Sequence, residues 1–416
     1  MSEIKPVLIA GGGPVGLVCG YALGRVGIPV IVFDENDGLR NDPRAATTHP
    51  ATLELLDQLG IIDEIIKQGL IARHFRFWDR PTGDMVAEFD HDLLKGDTAF
   101  PFVVQCEQFK LTRILLGLMA DLDTCDVRFS HRVTGVRAAA DSVSITVDAG
   151  GRSEQFTGRY LIGCDGGRSL VRKQMDIDFE GFTWPERFLV LTTPFDFQAE
   201  RGMCYRNYVA DPDEWCNCFK VSGDGPPGLW RTVYPVDPEA PEEALLNDDF
   251  VQDKLQNFFP TAAPYDIVHR NLYTVHQRVA ARFRKGPVLL AGDASHVNNS
   301  IGGMGLNGGI QDAMNLAEKL VRVWHGQADD TLLDHYDLQR RTYARDYVQE
   351  QTIQNKNRLA AKDPATRKRF LDDLRATAAD PVKARQFMLK TSMIEAMRQI
   401  DAMDDSGADL RESSKP

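Results

Sequence analysis

The chain has 416 residues, of which 43% are hydrophobic and 26% charged, and its formal net charge is -12. These proportions are typical of a folded globular protein and exclude the collagen-like and intrinsically disordered classes. The negative charge disfavours nucleic acid and anionic membrane as main partners, because both require an excess of Lys and Arg. We therefore expect packed domains whose ligands are small molecules.

The seven cysteines are scattered along the chain, and their odd number favours reduced thiols over a disulfide framework. Only Cys216 and Cys218 are closely spaced, and no second Cys or His pair follows at the spacing of zinc ligands. No run of apolar residues reaches the roughly 18 that a membrane-spanning helix needs. The sequence predicts a cytoplasmic protein with no metal site and no membrane span.

The N-terminal residues have the pattern of a Rossmann βαβ unit. The apolar run 6–10 predicts a strand, the helical spacing of apolar residues over 17–26 a helix, and the β-branched run 29–33 a second parallel strand. A glycine-rich turn joins the first strand to the helix: Gly11, Gly13, Pro14, Val15 and Gly16.

This turn has the chemistry of a dinucleotide site. A pyrophosphate needs close approach of the backbone, which a Cβ would block, and the positive end of a helix. Asp34, followed by Glu35, ends the second strand, where an acidic side chain accepts bonds from ribose hydroxyls. The turn alone leaves FAD and NAD both open.

The rest of the chain continues the mixed pattern. Helices are expected at 48–59, 109–120, 309–324 and through most of 332–403, and strands at 73–78, 85–89, 133–136, 142–147, 159–163 and 286–291. Residues 175–280 are rich in aromatic strand formers and predict a second, β-sheet domain. The tail, 404–416, is expected to be frayed.

Three motifs together resemble the single-component FAD-dependent aromatic hydroxylases with the p-hydroxybenzoate hydroxylase fold. The first is the glycine-rich turn. The second runs from Arg159 through Asp165-Gly166-Gly167-Arg168-Ser169 to Arg172, and the third runs from Gly286 through Gly292-Asp293 and His296 to Gly302-Gly303-Met304-Gly305-Leu306-Asn307. Their order and spacing are similar to those of the family from residue 5 to about residue 345.

The resemblance implies an α/β fold in which a Rossmann-type FAD-binding domain is interleaved with a β-sheet substrate domain. We expect the FAD-binding domain at 1–175, with a hairpin near 73–105 contributing to the substrate domain, the substrate domain itself at 176–280, and a return to the first domain at 281–345. A C-terminal helical extension follows at 346–416 and is a candidate homodimer interface.

By the same resemblance, the glycine-rich turn with Asp34 and Glu35 holds the adenosine and pyrophosphate end of FAD. The remaining FAD-binding positions are expected along the ribitol and the ring: Arg44, Gln108, Asp165, Asp293, Gly303, Gly305, Leu306 and Asn307. A helix starting near Asn307 would aim its positive end at the ring. The chain departs from the family at Thr112, at Asn299-Ser300 and at Met304.

The implied reaction is hydroxylation of a small phenolic or heteroaromatic substrate through a flavin C4a-hydroperoxide, with NADH or NADPH as transient reductant and O2 as co-substrate. A polar group should accept or share the phenol proton. The candidates on the middle sheet are Tyr205, Tyr208, Asn217, Arg231 and Tyr234, each of which could equally be an ordinary packing residue. Arg231 would suit a substrate carboxylate, and His296 is expected to order the Gly-Asp turn.

Other functions stay open on the sequence. The main alternative is an FAD-dependent reductase or epoxidase of the same fold acting on an isoprenoid-like substrate. A flavin-dependent halogenase is disfavoured because its Trp-x-Trp-x-Ile-Pro signature is absent. A non-catalytic NAD-binding sensor would leave the Asp165 and Asp293 motifs unexplained.

Overall fold

The computed structural model describes residues 5–41 and 43–403, so the predicted frayed tail lies outside the described residues. The strands, in chain order, are β1 Val7–Ala10, β2 Val30–Phe33, β3 Thr47–Thr48, β4 Leu70–Ala72, β5 His74–Asp79, β6 Asp84–Asp90, β7 Val103–Gln105, β8 Cys125–Arg128, β9 His131–Ala138, β10 Val143–Ala149, β11 Arg152–Gly158, β12 Tyr160–Gly163, β13 Phe179–Thr193, β14 Arg206–Ala210, β15 Cys216–Val221, β16 Leu229–Val236, β17 His269–Ala280, β18 Arg284–Lys285, β19 Val288–Leu290 and β20 His296–Val297.

The α-helices are α1 Pro14–Gly24, α2 Pro50–Gln58, α3 Ile62–Gln68, α4 Gln108–Ala120, α5 Leu170–Gln174, α6 Phe197–Arg201, α7 Glu242–Leu246, α8 Asp248–Phe258, α9 Met304–Trp324, α10 Leu332–Thr342, α11 Glu350–Leu359, α12 Pro364–Ala379, α13 Pro381–Thr391 and α14 Ile394–Asp401. A π-helical turn, Tyr343–Gln349, joins α10 to α11.

The first sheet has the strand order β18-β19-β12-β1-β2-β8. β1 pairs in parallel with β2 on one side and with β12 on the other. Apolar side chains of α1, α4 and α9 pack against these strands in one buried core, which is why β1 and β12 are continuous apolar runs. The Rossmann unit predicted from the sequence is therefore confirmed.

The second sheet has eight strands in the order β20-β17-β13-β16-β15-β14-β5-β6. Most of them lie between β12 and β18, so the chain leaves the first sheet and returns to it. The early hairpin β5–β6 joins the far edge, where β5 pairs in parallel with β14. The interleaved α/β class expected from the sequence is confirmed.

The two faces of the second sheet have different neighbours. One face carries Trp230 and Tyr234 and packs against α6, α7 and α8. The opposite face carries Tyr208 and Val233 and packs against the C-terminal helices. Because side chains alternate along a strand, the face on which a residue lies follows from the register of its strand.

The C-terminal helices pack on their own chain. The carboxylate of Asp97, 5% exposed, accepts two bonds from Arg385 at 3.0 and 2.7 Å and two from Arg398, both at 3.2 Å. Lys356 bonds Glu186 at 2.6 Å. The extension thus packs beside the second sheet, and its use as a dimer interface stays a prediction. Within the described residues, no helix is both long and apolar enough to cross a membrane.

Candidate active site

The glycine-rich turn needs glycine for three different reasons. Gly11 has φ +104°, and a Cβ there would lie 2.3 Å from the Cys164 carbonyl oxygen. A Cβ on Gly16 would lie 1.9 Å from the Gly11 oxygen, because α1 crosses β1 closely. A Cβ on Gly13 would meet no protein atom within 4 Å. Gly13 therefore leaves the positive end of α1 open to a phosphate, as a pyrophosphate site requires.

Asp34 stands at the end of β2, beside this turn. Its Oδ2 accepts a bond from the Gly12 amide at 2.7 Å, and its Oδ1 accepts from the Asn36 amide at 2.9 Å. The carboxylate is half-buried, whereas Glu35 is exposed. A carboxylate has about four acceptor positions, so Asp34 is held in place and retains capacity for a ribose hydroxyl. The residues present fit an adenosine dinucleotide.

Asp165 forms its hydrogen bonds within the turn that follows it in the chain. Its carboxylate accepts bonds from the Ser169 hydroxyl at 2.5 Å and from the Leu170 and Val171 amides at 2.7 and 3.1 Å, which caps α5. Arg172 then donates to the carbonyls of Gly167 at 2.9 Å and Ala294 at 2.8 Å. The second motif is thus joined to the third by Arg172, its last residue. Direct contact of Asp165 with FAD stays a prediction.

Asp293 and Arg44 come together, although they are far apart in sequence. The Asp293 side chain is open to solvent but lies within a dense shell of protein atoms. This burial raises the pKa of its carboxyl, an effect that His296 and then Arg44 reduce. A carboxylate that solvent reaches at this position is accessible to a ligand. A carboxyl there can bond a chain of hydroxyls such as ribitol.

Helix α9 begins at Met304, so the expected start near Asn307 was wrong by one turn. Gly303 precedes it with φ +71°, and a Cβ on Gly303 would lie 2.9 Å from Thr47 Cβ. Gly303 is required by its left-handed backbone and by this packing, and its contact with the flavin ring stays a prediction. Gly305 and Leu306 are half-buried in the first turn, where amides have no intrahelical partner.

The Asn307 side chain is used by the fold. It donates to the carbonyls of Thr47 at 2.8 Å and Gly303 at 2.6 Å and accepts from the His49 amide at 2.9 Å. The residue is fully buried. The side-chain amide of Asn307 joins α9 to β3, so only its backbone remains for the predicted contact with FAD.

A buried ionic network holds the Gly-Asp turn. Asp312 accepts bonds from Arg340 Nε at 2.6 Å, from His296 Nε2 at 2.9 Å and from the Gly292 amide at 3.0 Å. Burial disfavours the charged carboxylate, but His296 and Arg340 outweigh this and hold the pKa of Asp312 below its ordinary value. His296 thus orders the turn, as expected, and Asp312 is the organiser that was missed.

The loop where the chain departs from the family is fixed by amides. Gln277 Oε1 accepts from the Asn299 amide at 3.1 Å, and Asn299 Nδ2 donates to the Thr352 carbonyl at 3.0 Å. Asn299 Oδ1 accepts from the Ile301 amide at 3.0 Å, and the Ser300 hydroxyl lies 2.7 Å from that of Tyr273. Side-chain bonds therefore restrain a segment in which the family usually has two prolines.

Gln108 begins α4, and its backbone amide donates to the Ala45 carbonyl at 2.9 Å, next to Arg44. The preceding Glu107 forms a buried ion pair with Lys110 at 3.1 Å. Glu107 also accepts from the Ser222 hydroxyl at 2.9 Å. This cluster fixes the β15–β16 loop of the second sheet against the first domain.

The predicted polar candidates divide between the two faces of the second sheet. Asn217 pairs with Tyr208, and Arg231 with Phe219, so all four lie on the face toward the C-terminal helices. Arg231 is 7% exposed; it donates to the Arg44 carbonyl, and its Nε and second terminal nitrogen have no partner among the described residues.

Tyr234 and Tyr205 lie on the opposite face, which corrects their assignment to the pocket. Tyr234 is completely buried in the core with α6 to α8. The Tyr205 ring lies 5.2 Å from the Lys220 ammonium, and Lys220 also lies over Trp230 on that face. Strand register decides this separation, because adjacent positions point to opposite sides.

An aromatic cavity, partly open to solvent, lies between the second sheet, the loop before α9 and the C-terminal helices. Its lining is mostly apolar and aromatic with a few polar side chains, which is typical of a site for a small molecule. The sheet and loop contribute Phe75, Phe77, Arg206, Tyr208, Ile301, Gly302 and Met304. The helices contribute Asn355, Arg358, Leu359, Phe370, Leu374, Phe387 and Thr391.

Most of the organising residues were missed because their signals are weak in sequence. Asp312 lies on the apolar face of α9, and a buried charge there could have been noticed. Arg206 and His49 carried no motif. The contribution of α11 to α13 to the cavity had no signal, since it depends on where the helices fold back.

The chain is similar to proteins of known activity. A family model described as an FAD binding domain matches residues 5–351. Para-nitrophenol 4-monooxygenase of Pseudomonas sp. strain WBC-3 is 33% identical over 96% of this chain and 98% of its own. The 6-hydroxy-3-succinoylpyridine 3-monooxygenase of Pseudomonas putida is 31% identical over 91% of this chain and 95% of its own.

A solved structure shows the same architecture. The crystal structure of p-nitrophenol 4-monooxygenase from Pseudomonas putida DLL-E4 superposes with a TM-score of 0.89 at 30% identity, covering 95% of this chain and 99% of that one. With the glycine-rich turn, the Gly-Asp turn and the aromatic cavity in one fold, the family resemblance and the enzyme class are confirmed. The chain belongs to the single-component FAD-dependent aromatic monooxygenases.

Proposed function

We propose that the protein hydroxylates a small phenolic ring, with NADH or NADPH as reductant and O2 as co-substrate. One oxygen atom replaces a ring hydrogen and becomes a hydroxyl, and the other leaves as water, with two electrons taken from the nicotinamide. FAD, when bound, supplies electron transfer and oxygen activation. The single observation that carries this proposal is the aromatic cavity beside the loop Ile301–Met304.

The cavity suits a flat ring for reasons of shape and polarity. Phe77 and Tyr208 are stacked at 5.2 Å between ring centroids, and Phe370 meets Phe77 edge-on at 6.2 Å. Aromatic rings favour stacked or edge-to-face partners. The Tyr208 hydroxyl accepts a bond from Arg206 at 3.1 Å, so its own proton is available to a substituent of the substrate.

The residues proposed to hold FAD form a continuous path. Gly13 and Asp34 would take the pyrophosphate and adenosine end, Arg44 and Asp293 the central chain, and the first turn of α9 the ring. The positive end of α9 would stabilise negative charge that develops on a reduced ring. The buried Asp312 network would keep Asp293 in position.

The names of the similar proteins agree with this proposal. One names a nitrophenol as substrate and another a hydroxylated pyridine, both small rings bearing a hydroxyl. The chain spans nearly the whole length of both relatives, so no large domain of theirs lacks a counterpart here.

The test is a panel of phenols and hydroxypyridines given to the FAD-loaded protein with NADH or NADPH. We expect at least one compound to accelerate nicotinamide oxidation and to yield a product one oxygen atom heavier, labelled when 18O2 is used. If compounds stimulate oxidation but only peroxide forms, they act as effectors and the hydroxylase proposal fails. If no ring compound has any effect and an isoprenoid substrate does, the reductase or epoxidase alternative replaces it.

A further inference from the structure

Arg206 is a buried guanidinium without a carboxylate. It opens β14 and is 4% exposed. One terminal nitrogen donates to the Tyr208 hydroxyl at 3.1 Å, its Nε has no hydrogen-bond partner, and among residues 5–41 and 43–403 no Asp or Glu forms an ion pair with it. A buried charge is normally paired, since its transfer from water is costly.

The groups closest to Arg206 are aromatic rings and imidazoles rather than carboxylates bonded to it. The guanidinium lies 5.3 Å from the centre of the Phe75 ring. His49 and His91 are buried nearby, and burial, followed by the charge of Arg206, lowers the pKa of each to about 3. Both imidazoles are therefore neutral at physiological pH.

Arg340 shows how the same fold treats an ordinary buried arginine. It is fully buried and bonds the carboxylate of Asp312 at 2.6 Å. The contrast indicates that the missing partner of Arg206 is a ligand, because Arg206 also lines the aromatic cavity. At the cavity mouth stands a second, exposed guanidinium, that of Arg358.

We propose that Arg206 is the charge-recognition residue of the cavity, and that the ring bound there carries an anionic oxygen that bonds this guanidinium. The inference rests on the proposed hydroxylase function, since it assigns the class of its aromatic substrate. Phe77 and Tyr208 hold the ring while Arg206 fixes the end that carries the charge. Arg358 raises the local concentration of anions at the mouth.

Arg231 is the competing candidate, and the geometry favours Arg206. Arg231 donates to the Arg44 carbonyl, and the nearby Glu107 carboxylate partly balances its charge. It does not line the aromatic cavity described above. Arg206 donates only to the neutral Tyr208 hydroxyl and lines the cavity, so an anionic ring bound there can reach it.

The test compares 4-hydroxybenzoate with its neutral analogue 4-hydroxybenzamide. Each is titrated into the oxidised FAD-loaded protein, and the dissociation constant is read from the change in flavin absorbance. We expect the carboxylate to bind at least about tenfold tighter than the amide, which is the effect of one charge-assisted bond in a buried site. Arg206→Met should reduce that preference to about threefold or less by weakening only the carboxylate.

Matched variants separate the possible outcomes. Arg206→Lys should retain part of the preference, and Arg132→Met, which removes an exposed guanidinium paired with Asp148, should leave it unchanged. Thermal unfolding gives a second measurement: Arg206→Met should not lower the melting temperature, because it removes an uncompensated buried charge. A large loss of stability would indicate a structural role and overturn the proposal.

Other results also overturn it. The proposal fails if the wild-type protein binds neither probe, if it prefers the amide, or if the preference is lost in Arg231→Met but kept in Arg206→Met. The hydroxylase function is judged separately from the 18O-labelled product. If the protein hydroxylates rings but shows no preference for the carboxylate, the hydroxylase function stands and the role of Arg206 fails. If it prefers the carboxylate but hydroxylates nothing, the role of Arg206 stands and the hydroxylase function fails.

Discussion

Removing the carboxylate of Asp312 should destabilise the protein more than removing either of its partners. All three side chains of the Arg340–Asp312–His296 network are at most 1% exposed. Asp312→Leu leaves the Arg340 guanidinium buried without a counter-charge, for which losses of about 3–5 kcal/mol are typical. It also removes the acceptor of the Gly292 amide, so FAD retention should fall.

Arg340→Met should cost less, because His296 and the Gly292 amide still bond the Asp312 carboxylate. The double variant Asp312→Leu/Arg340→Met leaves neither charge unpaired and should be at least about 2 kcal/mol more stable than the sum of the single losses predicts. The stability that the double variant still loses comes from two hydrogen bonds. One joins the Gly292 amide to Asp312, and the other joins Arg340 to the Gly308 carbonyl at 3.1 Å.

The assay is urea unfolding at fixed FAD concentration, followed by tryptophan fluorescence and by flavin release. The sign of the pH dependence is also defined. The pKa of Asp312 is lowered in the folded protein, so its stabilisation is present above its ordinary value of 3.8 and is lost as the pH falls below it. Single losses under about 1 kcal/mol that simply add in the double variant would refute the reasoning.

Three further predictions concern the cofactor turn, the loop and the histidines. Gly13→Ala should lower the flavin absorbance near ~450 nm with little change in melting temperature. Gly16→Ala should instead destabilise the fold, because its Cβ would lie 1.9 Å from a backbone oxygen. If Gly13→Ala lowered the melting temperature and Gly16→Ala did not, the separate roles would be contradicted. Asn299→Ala leaves buried amide groups without partners and should lower the free energy of unfolding by about 1–3 kcal/mol. It should also raise the amount of peroxide released per nicotinamide oxidised. Unchanged stability would show that these bonds do not restrain the loop. Since the pKa of His49 and of His91 falls from 6.5 to about 3, stability should decrease as the pH falls below 6.5, by about 1.4 kcal/mol per pH unit for each, and His91→Gln should halve that slope in urea unfolding; an equal slope in the variant would exclude the explanation.

Local chemistry made the cofactor half of the molecule predictable. The turn from Gly11 to Gly16 and the carboxylate of Asp34 belong to one continuous βαβ segment, in which spacing alone determines geometry. The Gly292-Asp293 turn is similarly local. A dinucleotide site could therefore be deduced from residues that are neighbours in the chain, whereas the FAD class and the interleaved fold followed from the family resemblance of the three motifs together. The start of α9 was missed, because glycines in its first turn resemble a loop.

Tertiary structure decided the substrate half. Strand register places Asn217 and Arg231 on the face of the second sheet toward the C-terminal helices, and Tyr205 and Tyr234 on the opposite face. A shift of one residue in a strand would move its side chains to the other face. Phe75, Arg206 and the C-terminal helices meet only because the second sheet and the extension fold onto each other. Whether a buried arginine has a carboxylate partner depends on contacts between residues distant in sequence. For that reason the sequence by itself determined which cofactor the protein holds, and only the folded chain showed that Arg206 faces an aromatic cavity without a counter-charge.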